Sequence, residues 1–243
     1  MLTLDVRSNL REQIRRLQGF EKEVTLATAK ALTFTAEAAQ SALVDNMKQV
    51  FDRPTPYTLN SLRKTSATVN DLTASVYFKD PEGGRKHYLL PQVDGGERPQ
   101  KRSEQRLAAS MFGYKYLMPG LGAKLNSYGN VVAGTYTQVL AQLGGLNQYD
   151  NETARSRKRH AARNDARYFV AAPGSHLKPG IYQRTGKRGV KPYFIFADKA
   201  SYKPRFPFYQ LGMQVAQQVF PQKLDDAIER EMRKAFGTPA PVT

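Results

Sequence analysis

Cysteine and tryptophan are both absent from the 243 residues, and histidine occurs only at His87, His160 and His176. Without cysteine there can be no disulfide, no thiolate nucleophile and no Cys-ligated zinc, and an intracellular life is easy to accommodate. No pair of the three histidines has the helical spacing of metal ligands. No apolar run approaches the roughly 20 residues that a membrane-spanning helix needs. The opening stretch, MLTLDVRSNLREQ, lacks the apolar core of a secretory signal. Acidic residues are also scarce, 21 Asp and Glu against 37 Lys and Arg, which leaves a net charge of +16.

Patterned chemistry is missing as well. There is no Gly-x-Ser-x-Gly nucleophile elbow. Gly186-Lys187 is followed by Arg188 where a phosphate loop needs a hydroxyl. Gly120-Leu121-Gly122 lacks the third glycine of a dinucleotide site, and no strand is predicted before it. Asp225, Asp226, Glu229 and Glu231 sit on an amphipathic helical pattern and read as a solvated face. The sequence therefore predicts no catalytic residues, no metal and no cofactor.

What is present is 40% hydrophobic and 10% aromatic residues, enough to build a core. Leu10, Ile14 and Leu17 predict a short helix over 7–18, broken or bent at Gly19. A long helix follows over 21–51 with two adjacent apolar stripes. One is Val24, Ala27, Ala31, Phe34 and Ala38; the other is Leu32, Ala36, Ala39, Leu43, Met47 and Val50. Together they make a face wider than a monomer's surface helix needs. It can pack on the protein's own sheet, or part of it can meet a neighbouring subunit. Ala31, Phe34, Ala38 and Ala39 are the candidate subunit interface, because an Ala-rich surface permits close approach.

Asp52-Arg53-Pro54-Thr55-Pro56 ends this helix. Alternation predicts a β-hairpin over 66–79, turning at Asn70-Asp71. Tyr88–Val93 reads as a short edge strand interrupted at Pro91. Helices are expected over 101–112 and 135–144, with loop between them. An antiparallel meander follows in 168–197, from strands 168–172, 180–184 and 190–197. The last element is a helix over 207–236, kinked or divided at Pro221. No repeat or linker stands out. The expected fold is one α+β domain over 1–243, a mainly antiparallel sheet flanked by long N-terminal and C-terminal helices, with extended loops.

Charge is uneven. Residues 151–205 hold fourteen Lys and Arg against three Asp and Glu, and so supply +11 of the +16. The basic loop 150–167 contains Arg155, Arg157, Lys158, Arg159 and Arg163, a candidate patch facing a partner or DNA. Its ordinary reading is a solvated loop. Aromatic residues are not interleaved in it, which argues against single-strand stacking.

Three segments carry a family resemblance. They are Phe51-Asp52-Arg53-Pro54-Thr55-Pro56-Tyr57-Thr58-Leu59-Asn60-Ser61-Leu62; Leu90-Pro91-Gln92-Val93 with Gly95-Gly96, Arg98, Lys101 and Glu104; and Tyr128-Gly129-Asn130. In these the chain resembles phage minor tail protein Z and the tail-completion proteins. Tyr202-x-Pro204-Arg205-Phe206-Pro207-Phe208 before a helix is similar to head–tail joining proteins. The resemblance implies a non-enzymatic structural virion protein that caps the head-proximal end of a phage tail or joins it to the neck. It further implies a ring of copies of itself, six in such relatives. The partners it implies are the tail terminator or tail tube protein, a neck, head-completion or connector protein, and DNA in the channel. No membrane is implied; the location is the virion, and the host cytoplasm during assembly. Pro221 within the last helix departs from that pattern. The alternative drawn from composition is a basic, sequence-independent nucleic-acid-binding protein.

Overall fold

A computed structural model describes residues 6–79, 86–143, 168–185 and 189–236. The fold is α+β, and every strand pair in it is antiparallel. The contacts group into two compact units. One joins the two ends of the chain, Met1–His87 with Phe206–Thr243; the other is the middle, Tyr88–Arg205. No composition shift announces this division. Among the described residues no helix is long and apolar enough to cross a membrane.

The first unit is built on two long helices, α1 (Val6–Val50) and α6 (Phe208–Phe236). Helix α1 does not end at Gly19. A Cβ there would meet nothing within 4 Å, and one glycine costs a long helix only about 1 kcal/mol, too little to interrupt it. Helix α6 likewise runs through Pro221 as one element rather than two. Proline removes a single hydrogen bond, and the packing of α6 on α1 continues beyond it.

The helices run antiparallel. Ala27 and Ala31 bury against Ala227, with Phe220, Leu224 and Ile228 packed around them. Alanines at this crossing let the backbones approach closely. Lys30 Nζ donates to the buried Glu231 Oε1 at 2.7 Å, and Lys234 Nζ donates to the same oxygen at 3.2 Å. The Lys30 hydrogen bond holds the Glu231 carboxyl below the usual carboxylate range, against the opposing effect of burial.

The hairpin is β1 (Leu62–Thr65) with β2 (Ser75–Phe78), in register from Leu62 opposite Phe78 to Thr65 opposite Ser75. Its first strand lies ahead of the segment expected from alternation, while the expected turn region is present at 68–71. The hairpin packs on α1. Gln40 Nε2 donates to Leu62 O at 3.1 Å, and the Ala67 N–H donates to Thr33 Oγ1 at 3.1 Å. Between α1 and the hairpin lies a one-turn helix, α2 (Pro56–Leu59). Thr55 Oγ1 caps it by accepting from the Thr58 N–H at 3.2 Å, and Pro56 occupies its first turn. Phe51, Phe78, Phe206 and Phe208 form an aromatic cluster, with the buried His87 stacked on Phe78 at 4.8 Å.

The middle unit holds a four-stranded sheet in the order β4-β7-β6-β5: β4 (Tyr116–Pro119), β5 (Tyr168–Ala171), β6 (Gly180–Thr185) and β7 (Gly189–Ala197). The expected meander supplies three strands, and β4 extends it from a stretch expected to be loop. Two helices cover one face, α4 (Arg102–Leu107) and α5 (Ala133–Gln142). Leu107, Met111, Val139 and Leu140 bury there against Leu117, Ile181, Phe194 and Phe196. Tyr88–Val93 is not an edge strand. It ends in a helical turn, α3 (Leu90–Val93), in which Pro91 occupies a first-turn position that proline favours. A second, two-residue ladder pairs β3 (Gly96–Glu97) with β8 (Ser201–Tyr202).

Candidate assembly surface

The segments that carry the resemblance have local structural uses. In the middle unit, Glu104 is fully buried and every lone pair of its carboxylate is engaged. Oε1 accepts from Arg98 Nη2 at 2.5 Å and from the Leu117 N–H at 2.9 Å. Oε2 accepts from Arg98 Nη1 at 2.8 Å and from the Lys101 N–H at 2.7 Å. Burial pushes this carboxyl up. The Arg98 pair and the two backbone donors outweigh burial and hold it below the usual range. The Arg98 guanidinium also lies 4.8 Å from the Tyr116 ring centroid. A carboxylate bonded this completely fastens α4 to β4 and to the 98–101 segment, and it has no capacity left for a substrate.

Gln92 plays a similar part. Its Oε1 accepts from Arg205 Nε at 2.6 Å, and its backbone carbonyl accepts from the Arg205 N–H at 2.9 Å. Gly95 has φ +80, and a Cβ on it would press on Pro204 Cδ at 3.1 Å, so both conformation and space favour glycine. At Tyr128-Gly129-Asn130, Gly129 takes φ +75, a turn conformation that favours glycine. The capping residue there is Asn126: its Oδ1 accepts from the Tyr128 and Asn130 N–H groups, each at 3.0 Å.

The first unit leaves apolar surface open. A groove of about 290 Å³ runs between α1, β2 and the first turns of α6. Leu32, Ala36, Ala39 and Leu43 come from α1, Val76 from β2, and Tyr209 and Met213 from α6. None of its thirteen lining residues carries a charge. Tyr209 and Met213, four apart on one helical face, are 62% and 61% exposed. A smaller hollow beside Phe34 is bounded by Lys223, Asp226, Ala227 and Arg230.

The predicted interface residues fall on both sides of this division. Ala31 is used wholly within the chain, against Ala227 on α6 rather than against a sheet. Ala39 is buried in the groove wall, Ala38 is half-buried, and Phe34 is exposed. Periodicity found the α1 side of the groove. It missed Tyr209 and Met213, because the spaced apolar residues of α6, Leu211, Val215 and Val219, mark the neighbouring face. The expected basic patch, Arg155, Arg157, Lys158, Arg159 and Arg163, lies outside the described residues. Among the described residues no group of three or more His, Asp and Glu is placed to hold a metal ion. Comparison of the chain with protein-family models, with curated proteins and with solved structures returns no match.

Proposed function

We propose that the chain is a structural virion protein of a tailed bacteriophage, capping the head-proximal end of the tail or joining it to the neck. It acts by assembling with copies of itself and with tail terminator, tube, neck or connector proteins, and not by catalysis. The observation that carries the assembly reading is the uncharged groove with Tyr209 and Met213 at its mouth. Exposed aromatic and methionine side chains beside a contiguous apolar hollow mark surfaces that a partner covers. The resemblance supplies the tail-end location. The structural use of Arg98 and Glu104 accords with a framework role, since both are taken up in holding the middle unit together.

The test is compositional. Intact particles purified on a density gradient from a lysate of cells carrying this gene are analysed by quantitative mass spectrometry. The expected result is this chain at a fixed small copy number per particle. Its absence from particles whose other tail proteins are present would refute the reading.

A further inference from the structure

Strand β2 keeps one unpaired edge, and the groove of the first unit lies along it. The Lys79 N–H donates to Ser61 O at 2.8 Å, and the Ser75 N–H donates to Thr65 Oγ1 at 3.0 Å. In the β1–β2 ladder the pairs joined through their backbone groups are therefore Arg63 with Tyr77 and Thr65 with Ser75. The N–H and C=O groups of Val76 point the other way, away from β1, and have no partner among the described residues. Ala74, Ser75 and Val76 line the groove, whereas no residue of β1 does. The groove thus follows the outer edge of β2, with α1 and α6 as its other walls. Those walls are low, with Ala36 and Ala39 on α1 and Gly212 and Ala216 on α6. A Cβ on Gly212 would meet nothing within 4 Å. An open strand edge beside a hollow of small, uncharged residues suits an added strand.

The sequence holds a segment suited to that edge. Residues 237–243, Gly-Thr-Pro-Ala-Pro-Val-Thr, carry no charge. Proline at 239 and 241 biases Thr238 and Ala240 toward extended backbone. Because the two prolines are two apart, they remove donors from only one edge of an extended chain. The N–H groups of Thr238, Ala240 and Val242 all belong to the other edge. Such a strand pairs on one side and ends the sheet on the other. It does not reach the groove of its own chain. Twenty residues of α6 separate Ala216 in the groove from Phe236, about 30 Å of helix, while seven residues span at most about 25 Å. The groove it can enter belongs to a second copy. The first unit permits that approach. Met1–His87 and Phe206–Thr243 hold 17 Lys and Arg against 14 Asp and Glu, only +3 of the +16, so copies meeting there are spared the repulsion of the middle unit.

We infer that residues 237–243 of one copy add as a third strand along the outer edge of β2 in the groove of the next copy. This rests on the assembly reading and names what fills its groove. Donor segment and receiving groove are different surfaces, so the contact is head-to-tail and its repetition builds a ring or a filament. The test uses the full chain, which has no cysteine of its own. Val76→Cys and Ala240→Cys are made in separate copies, mixed and oxidised. They should form a reducible linked pair at least about 10-fold faster than Ala240→Cys mixed with Arg63→Cys, because docking raises the local concentration toward the millimolar range. Arg63 is exposed on β1, the other strand of the same hairpin. Excess free peptide of residues 237–243 should slow the first reaction to the control rate. Ala240→Pro removes a donor from the pairing edge and should weaken association about 10-fold in sedimentation velocity. Pro241→Ala alters the opposite edge and should leave association near the parent value. Equal linking rates at the two positions, with the parent still multimeric, would overturn this inference and leave the assembly reading standing. So would an Ala240→Pro chain that associates like the parent. A parent of single-chain mass would overturn both. Circular dichroism melts establish that each variant is folded.

Discussion

Glu104→Ala is expected to destabilise the protein by about 3–5 kcal/mol, the largest effect of any single substitution considered. The change leaves Arg98 charged with its guanidinium mostly buried, and it orphans the N–H groups of Leu117 and Lys101. Breaking a buried pair from one side costs far more than the pair itself contributes. Glu104→Gln keeps an acceptor and should cost less. Replacing both partners, Arg98→Met with Glu104→Leu, should recover part of the loss, because no stranded charge remains. Urea titrations of the three variants check this ordering. The pH dependence has a definite sign. The folded carboxyl lies below its unfolded value, so its contribution is complete above the ordinary carboxylate range and is lost as pH falls through the lowered folded value. Glu104→Gln should therefore flatten the acid limb of the stability curve. A loss below about 1 kcal/mol for Glu104→Ala would mean that the four-bond arrangement does not hold in solution.

The second large effect concerns association. Combining Tyr209→Ser with Met213→Glu removes the aromatic anchor and sets a charge at the mouth of an uncharged groove. Both side chains are mostly exposed in the single chain, so the thermal midpoint should hardly move. Association should weaken by at least about 2 kcal/mol per site, or about 30-fold in Kd for each. Gln217→Glu with Gln218→Glu places similar charge on exposed positions of the same helix, outside the groove, and should leave association unchanged. Sedimentation velocity distinguishes the cases. Equal behaviour of the two double variants would remove the groove from the account.

The parts of this fold that could be read in the sequence are those with long or well-punctuated patterns. The stripes along α1 extend over several turns, and Pro173-Gly174 separates β5 from β6, so both stand out locally. Strand β4 could not be read that way. It has four residues, ends in Pro119 and lies in a glycine-rich stretch, and its identity comes from pairing with β7 far along the chain. At Tyr88–Val93, four apolar residues have no period to separate a strand from a helical turn. The division into two units is equally non-local, since the first unit brings both ends of the chain together. The α1 half of the groove was visible as Leu32, Ala36, Ala39 and Leu43. The α6 half depends on how the two helices rotate against each other, and Ala31 shows the same limit: its place on an apolar stripe is local, but its partner is Ala227 on this chain's own last helix.

Assembly is the central claim, and light scattering coupled to size exclusion tests it most directly. The full chain is run at low and at high salt over a range of concentrations. Apolar contacts do not weaken as salt screens charge. The account predicts a discrete mass at a fixed multiple of 27.3 kDa that persists at high salt. A mass of one chain under every condition would contradict it.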